Sequence, residues 1–490
     1  MTNSSTASSS NDRFPSDANL VAGYTIDEVS IRPIGEDEDV MGTVTEWTTD
    51  MDVEEEGVAV DNVNKKPIDL TNSILSVSYF ESILEPCVAI ELEVYSSSSI
   101  FNEVPIRGGE RVEIDIKSPD GTRFERRGAY AMYVYKVSGM NSDKLRETFT
   151  LHLVSKEFMV NETVRCKKKF HRTTIDTHVH DILQSVLKTT KESIVEPTFN
   201  DYTFIGNMKK PFHTIQWLAP KSISKLGGDK GVDEDGEEAN GTGGYLFYEN
   251  QDGFNFRSID QLVSRTKSED SADEDDTIFT YVHTGVVEQN AGFNSRGMYG
   301  DILKFFWDRT VDVRKSLRVG MYSNLTYHYD VVTNELSRYN YSLTEQMENA
   351  ETLGADGIPP DVQLFGKSPS RVLSTVSDHG TLDQPFQNYA SNAALLTSGR
   401  DKADMAKSFS RYNLLFQQAL NILVPCNIHL KVGDIVRCYF PKRNSETSES
   451  DPETSGYYLI RELRHSFVPN QNTTSLKLMR DSYGLYGEED

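Results

Sequence analysis

Hydrophobic and polar positions alternate with period two along much of the first third of the chain. Val88, Ile90, Leu92 and Val94 alternate with Ala89, Glu91, Glu93 and Tyr95, and Val112, Ile114 and Ile116 alternate with Glu113, Asp115 and Lys117. Successive side chains of a strand point to opposite faces, so this spacing predicts half-buried strands with one apolar and one wet face. Asp120-Gly121 supplies a hairpin turn; AYAMYVYKV follows, and then Phe149, Leu151 and Leu153 alternate with Thr148, Thr150 and His152. At least five short antiparallel strands over residues 72–155 must cover or close their edges, which predicts a small barrel or sandwich.

The period then changes to 3.6. Ile175, Val179, Ile182, Leu183, Val186 and Leu187 fall on one helical face, with Thr173 or Thr174 placed to cap it. A second short helix is predicted at PFHTIQWLAP, where Pro211 suits the first turn and Phe212, Ile215 and Leu218 form the stripe. YLFYENQDGFNFRS reads as a hairpin turning at Asp252-Gly253, with Phe247, Phe254 and Phe256 on its arms, and further strands are expected around Ile278 to Val287. Gly354, Gly357, Pro359, Pro360, Gly366 and Pro369 break residues 351–392 into a linker. A helix near 400–421 precedes three segments, IHLKVGDIVRCYFP, GYYLIRELRHSF and TTSLKLMRDS, which read as a meander with a Gly433-Asp434 turn that closes a second barrel.

The charge is unevenly placed. Of the formal net charge of -25 over 490 residues, residues 1–60 carry -12 (14 acids, two bases), and residues 227–240 and 267–276 carry -5 each, leaving a nearly neutral body at -3. Acidic, low-complexity stretches bury too little apolar area to fold alone, so these are appendages, and the overall sign argues against a general nucleic-acid binder. The opposite sign appears at RCKKKFHR, where Arg165, Lys167, Lys168, Lys169 and Arg172 crowd one junction. The plainer reading is a solvated connector; the sharper one is a docking patch for an acidic partner, the chain's own arm among the candidates.

Catalytic and metal spacing is largely missing. FGKS at Phe365 to Ser368 ends like a phosphate loop, but the glycine required five residues before Gly366 is Asp361, and Pro369 stands where a helix should begin. Asp233 to Gly236 imitates a calcium loop without its twelfth-position carboxylate, since Thr242 stands there. Cys166, His171, His178 and His180 lack metal-site pairing, and the four cysteines (Cys87, Cys166, Cys426, Cys438) contain no C-x-x-C, so reduced, scattered thiols are expected. No run of residues approaches a membrane helix, and the first residues have no signal-peptide pattern.

Four segments together resemble the baseplate hub family of contractile-tailed, T-even-like bacteriophages, whose architecture is shared by hub modules of type VI secretion spikes. They are ILEPCVAIELEVYSS with NEVPIRGGERVEIDI; VEPTFNDYTFIGNMKKPFHTIQWLAPKS; GYLFYENQDGFNFRSIDQL; and GYYLIRELRHSF with TTSLKLMRDSYG, spanning Ile74 to Gly484. The long acidic N-terminal arm and Pro220 depart from that pattern. The resemblance implies a homotrimer in which two tube-forming barrels per chain make a six-barrel ring, adapting a sixfold tail tube to a threefold spike. It further implies as partners a central spike protein, tail-tube initiator and tube proteins and neighbouring baseplate proteins. DNA would be only a passing occupant of the channel, with no cofactor, no enzymatic activity and no membrane insertion.

The expected fold class is a β-rich α+β chain with two antiparallel β-barrel domains. Residues 1–66 form the arm, 67–165 the first barrel, 166–240 a helical connector with an acidic loop, 241–350 the second β-rich domain, 351–425 an irregular linker and helix, and 426–490 the closing meander. Val29, Ile31, Ile34 and Trp47 are the arm's expected anchors on neighbouring proteins, and Glu91, Glu93, Glu113 and Asp115 the expected channel wall. Competing readings are a tail-associated cell-wall hydrolase, which needs converging ionisable groups in a cleft, and a receptor- or carbohydrate-binding module, which needs aromatic clusters on loops.

Overall fold

The computed structural model describes residues 23–32, 67–96, 106–143, 146–199, 201–225, 242–264, 278–283, 300–308, 312–331, 334–344, 352–354, 364–377, 404–415, 418–442, 450–451, 453–469 and 471–482. The first unit comprises β1 (Thr25–Arg32), β2 (Ile68–Asp69), β3 (Ile74–Ser82), β4 (Ala89–Ser96), β5 (Arg111–Lys117), β6 (Arg123–Arg126), β7 (Met132–Asp143) and β8 (Arg146–Ser155). Pairing runs β3-β4-β8-β7-β5-β1-β2, and the chain then turns from β2 through residues 70–73 into β3, the Leu70 N–H donating to the Val29 carbonyl at 2.8 Å, so the ring is completed by the chain and not by strand pairing. The wrapped sheet places the alternating apolar set inside: Ile90, Leu92, Val112, Ile114, Ile116, Leu151 and Leu153 are buried. The Asp120-Gly121 turn joins β5 to β6, with Gly121 at φ +91°.

One strand of this barrel comes from the segment expected to be an arm. β1 lies antiparallel along β5 from Thr25↔Lys117 to Arg32↔Arg111, and Val29 and Ile31 are fully buried in the barrel core. The barrel therefore starts before residue 67, and the most acidic stretch is an excursion whose two roots are paired at Ile31↔Ile68. Alternation in TIDEVSIR is weaker than in the other strands, because the register shifts between Ile26 and Glu28.

The next unit packs against the barrels. It contains α1 (Lys156–Thr163), β9 (Lys169–Thr174), α2 (Ile175–Asp181), β10 (Glu192–Val195), β11 (Asp201–Ile205), α3 (Pro211–Leu218), β12 (Tyr245–Glu249), β13 (Gly253–Ser258) and α4 (Ile259–Ser264). The expected stripe is buried at Ile175, Val179, Ile182, Leu183 and Leu187, although after Asp181 the helix widens into a π turn, where the Leu187 N–H donates to the Ile182 carbonyl at 3.0 Å. Thr174 stands at the N-cap position without a side-chain capping bond. Pro211 opens α3, as its missing N–H allows.

The β12–β13 hairpin does not join the second barrel. It pairs with β10 in a separate three-stranded sheet, because both of its faces are apolar: Leu246 and Tyr248 meet the barrel core, and Tyr245, Phe247, Phe254 and Phe256 meet the helices. At the turn, Gly253 has φ +141°, and a Cβ there would stand 2.1 Å from the Glu192 carbonyl oxygen.

The second barrel is assembled from β14 (Phe279–His283), β15 (Asp301–Ile302) and β16 (Lys304–Asp308) together with four late strands. Between them lie α5 (Val313–Val319), a side sheet of β17 (Ser323–Asp330), β18 (Glu335–Ser342) and β19 (Arg371–Ser377), and α6 (Asp404–Leu415). β19, parallel to β17, occupies part of the span expected to be linker. β20 (Gln418–Pro425) replaces the expected end of the helix, since QALNILVP alternates in burial and pairs with both β16 and β23. β21 (Ile435–Tyr439), β22 (Gly456–Val468) and β23 (Gln471–Arg480) complete the expected meander. β14 pairs with β15 and β21, and the nearly continuous β15–β16 pairs onward to β20, so this second barrel closes by strand pairing.

The two barrels share sheet. Along one edge β22 pairs first with β21 through Leu459 and then with β3 from Glu462↔Ser82 to Phe467↔Val77, while β23 follows its other edge. A single hydrophobic cluster spans both barrels.

Candidate assembly face and inter-barrel junction

The shared sheet has one polar face. Opposite the buried Tyr79, Leu92, Leu151, Leu463 and Leu476 stand Ser78, Glu91, Glu93, Thr150, His152, Lys136, Glu462, Arg464, Ser475 and Lys477, neighbours across β7, β8, β4, β3, β22 and β23. Hydrogen bonds and ion pairs hold these side chains to one another. Glu91 meets His152 at 3.3 Å, His152 Nε2 lies 2.6 Å from Ser138 Oγ, Arg464 donates to Ser78 Oγ at 3.1 Å, and Lys477 meets Glu462 at 2.6 Å. Three acids (Glu91, Glu93, Glu462) face three bases (Lys136, Arg464, Lys477), so the face is polar and balanced rather than acidic.

Glu113 and Asp115 lie elsewhere. In the sheet order β8 and β7 stand between β4 and β5, so Glu113 and Asp115 are not cross-strand neighbours of Glu91 and Glu93. Asp115 is 1% exposed, covered by Arg123 at 2.7 Å and Arg127 at 3.0 Å, and Glu113 pairs with Arg111 at 2.8 Å. Of the expected arm anchors, Val29 and Ile31 are consumed in the chain's own core, and Ile34 and Trp47 fall outside the described residues.

The basic junction is partly engaged within the chain. Arg165 caps the C-terminal end of α1 through the Glu162 and Val164 carbonyls at 2.9 and 2.8 Å, and Lys168 pairs with Asp181. Lys167, Lys168 and Lys169 are exposed; the Arg172 side chain falls outside the described set. Of the histidine cluster, His178 is buried edge-on to Phe170 and Phe204, with Nε2 2.6 Å from the Tyr202 carbonyl, and among the described residues no group of three or more metal-ligating side chains converges. Burial depresses the basicity of His178 despite that hydrogen bond. Phe365 of FGKS packs on Tyr322 beside the side sheet's core. All four cysteines are free thiols, and burial pushes Cys87 up to about 12.

Buried charge concentrates where the units meet. Arg126, 2% exposed, lies over the Tyr79 ring at 4.8 Å, donates to Tyr79 Oη and reaches the Gln251 carbonyl at 3.0 Å. Tyr79 in turn donates to Glu81 at 2.6 Å, and the other Glu81 oxygen accepts the Val432 N–H at 2.8 Å. One chain of contacts thus ties β6 and β3 to the peripheral hairpin and the second barrel. A second joint is the Lys191 ammonium, 2.8 Å from Glu157 and 2.6 Å from Glu249, whose other oxygen accepts the Val88 N–H at 3.1 Å. Burial opposes the Lys191 charge, but the two carboxylates outweigh it and hold its pKa above the ordinary value.

Glu81 makes the junction pH-dependent. Burial raises its pKa to about 7 from the ordinary 4.5, against the hydrogen bonds from Tyr79 and Val432 and the Arg126 charge. A carboxyl raised on folding contributes stability that is present below about 4.5 and lost as the pH rises through about 7. His465, stacked 6.0 Å from Tyr79, behaves oppositely: burial lowers it to about 3, so its contribution is present above 6.5 and lost as the pH falls. Between pH 4.5 and 8, wild type is expected to lose roughly 3 kcal/mol relative to Glu81→Gln, the His465 term being common to both. Urea unfolding at the two pH values checks this; an unchanged difference would contradict it.

No family model matches the chain. Its architecture is two barrels fused through a shared sheet, a helical module on their flank and a charged face across that sheet. In sequence it is similar to a probable baseplate hub protein of Vibrio phage KVP40, 21% identical over 434 residues that cover 84% of this chain and 90% of that protein. In structure it is similar to the tail protein from Neisseria meningitidis MC58 (TM-score 0.47, 10% identity, covering 86% of this chain and 95% of that one). It is also similar to an Escherichia coli type VI secretion component described as resembling T4 bacteriophage tail proteins (TM-score 0.40, 8% identity, covering 84% of this chain and 75% of that one). Among the described residues no helix is long and apolar enough to cross a membrane.

Proposed function

We propose that this chain is a structural subunit of the baseplate hub of a contractile phage tail, located in the tail of the virion and without catalytic activity of its own. The observation that carries the reading is the pair of barrels fused through β22 and β3, in a chain similar over 84% of its length to a probable baseplate hub protein. Two barrels per chain let a homotrimer present six barrels in one ring, a geometry that mates a sixfold tube on one side with a threefold spike on the other. The partners in this reading are tail-tube proteins, a central spike and neighbouring baseplate proteins.

The polar face of the shared sheet then lines the axial passage. Its hydroxyls and balanced charges give phosphate little to hold, and the aromatic area it carries is broken into single rings, Phe80 under Arg464 and Tyr135 beside His152. Replacing Glu91 and Glu93 by Lys makes that wall basic, and phage carrying both substitutions are expected to assemble but to eject DNA several-fold more slowly at low salt than in high salt. Ejection kinetics unchanged by the substitutions would place these residues away from the passage. The subunit reading itself is tested by native mass spectrometry of the purified chain: three copies of a 55.3 kDa chain are expected, and a monomer at all concentrations would count against it.

A further inference from the structure

The polar face of the shared sheet ends, on both sides, at a strand whose outer edge is open. Its strands run in the order β7-β8-β4-β3-β22-β23-β20-β16, and every neighbouring pair is antiparallel. β5 takes up β7 only at Met132 and Tyr133, and Gly109 and Glu110 bond to Val134; among the described residues no strand lies along the outer edge of residues 135–143. At the other end β15 pairs with β14 at Asp301 and Ile302, and among the described residues no strand lies along the outer edge of β16. An open edge of this kind is a template for another strand.

Both edges expose apolar side chains. On β16, Phe305 and Trp307 pack on Phe440, each at 5.1 Å, so Phe306 between them turns to the polar face. There it is 65% exposed and ends the cross-strand row Phe306, Asn421, Lys477, Glu462. On β7 the register shifts between Ser138 and Asn141, where Gly139 has φ +64° and Met140 is 57% exposed. The two edges do not pair with each other in one chain.

Direction and charge select the strand that fits. Because every pairing from β7 to β16 reverses direction, β16 runs opposite to β7, and β7 of a second copy set beside β16 continues the antiparallel alternation. β16 begins at Lys304 and ends at Asp308, while the open stretch of β7 has Lys136 near its start and Asp143 at its end. Antiparallel order therefore sets Lys136 toward Asp308 and Asp143 toward Lys304; parallel order would set like charges together. The chain already contains one joint of this kind, where β3 of the first barrel and β22 of the second pair antiparallel from Glu462↔Ser82 to Phe467↔Val77 and the polar face crosses unbroken.

We propose that copies of this chain join through these two edges, β7 of one copy pairing antiparallel with β16 of the next, which covers Met140 and Phe306 and carries the polar face from copy to copy. This deepens the hub reading and rests on it for the ring. The seam is head-to-tail, so each copy gives one edge and receives another, and the chain of copies closes where the rotations complete a turn.

Photocrosslinking of full chains that carry a benzophenone side chain in place of Phe306, mixed with isotope-labelled wild type and read by peptide mass spectrometry, tests it. The expected products join position 306 to residues 135–143 of the other copy. Phe306→Asp, and separately Met140→Asp, are expected to lower the three-copy fraction in native mass spectra at least tenfold with an unchanged circular dichroism spectrum. Products elsewhere on a three-copy assembly, or three copies undisturbed by either substitution, would overturn the seam and leave the hub reading standing. The same products from an assembly of another copy number would support the seam and overturn the trimer. A wild-type chain that stays single and yields no product between copies would overturn both.

Discussion

Removing residues 23–32 is expected to prevent the first barrel from folding, whereas replacing residues 34–65 by a short Gly/Ser connector leaves it folded. The ten residues include β1, which fills one full side of β5 and pairs on its other edge with β2, just before the chain enters β3. Without it, a seven-residue edge is left open and the Val29 and Ile31 sites become a cavity. Truncating one such side chain costs about 2–5 kcal/mol, against a total stability of about 5–15 kcal/mol, so losing the strand exceeds what a domain can absorb. Tyr24 adds a link between the barrels, its hydroxyl donating to the Cys426 carbonyl at 2.9 Å. Far-UV circular dichroism and urea unfolding of the two deletions separate the outcomes. A chain lacking 23–32 that unfolds at the wild-type midpoint would show that β1 is dispensable.

Arg126→Ala is expected to cost about 3–5 kcal/mol, the usual penalty for removing one member of a buried charged network. The guanidinium is almost wholly buried and serves Tyr79, the Gln251 carbonyl and, through Tyr79, Glu81. Its loss leaves a buried carboxyl and a buried phenol without their cation at the point where β3 meets β22. Lys477→Ala supplies the contrast: its 2.6 Å pair with Glu462 is on the surface, and such pairs contribute at most about 1 kcal/mol. Unfolding free energies of the two variants should therefore differ several-fold. Equal, small losses would mean that the junction holds without its central charge.

The barrel strands are legible because burial on one side writes itself into every second residue. Ile90, Leu92 and Val94 in β4, and Val112, Ile114 and Ile116 in β5, all sit where alternation places them, and Asp120-Gly121, Asp252-Gly253 and Gly433-Asp434 all turn. β1 is hidden by its neighbourhood: TIDEVSIR carries two acids and a register shift, and it sits beside the chain's most acidic stretch. The β12–β13 segment reads as a hairpin, but period two says nothing of which sheet a hairpin joins, and its two apolar faces belong between layers. β20 reads as helix because QALNILVP follows a helix without a Gly or Pro to break it.

The candidate face is only half legible. Alternation identifies Glu91 and Glu93 as outward, yet it treats Glu113 and Asp115 alike, and only the strand order shows that two other strands separate the pairs. Nothing in RFERRG separates the buried Arg126 from Arg123 and Arg127; only the partner that arrives from β3, 47 residues earlier, distinguishes it. Lys191, Glu157 and Glu249 are equally silent in sequence, being brought together from three separated elements.

The most direct test of the hub account is electron cryomicroscopy of the purified assembly, viewed down its symmetry axis. The account predicts three chains whose six barrels surround an open axis, with Glu91, Glu93 and Arg464 facing the opening. Barrels arranged without a common axis, or an axis walled by the β5 side of the first barrel, with Asp115, would contradict it.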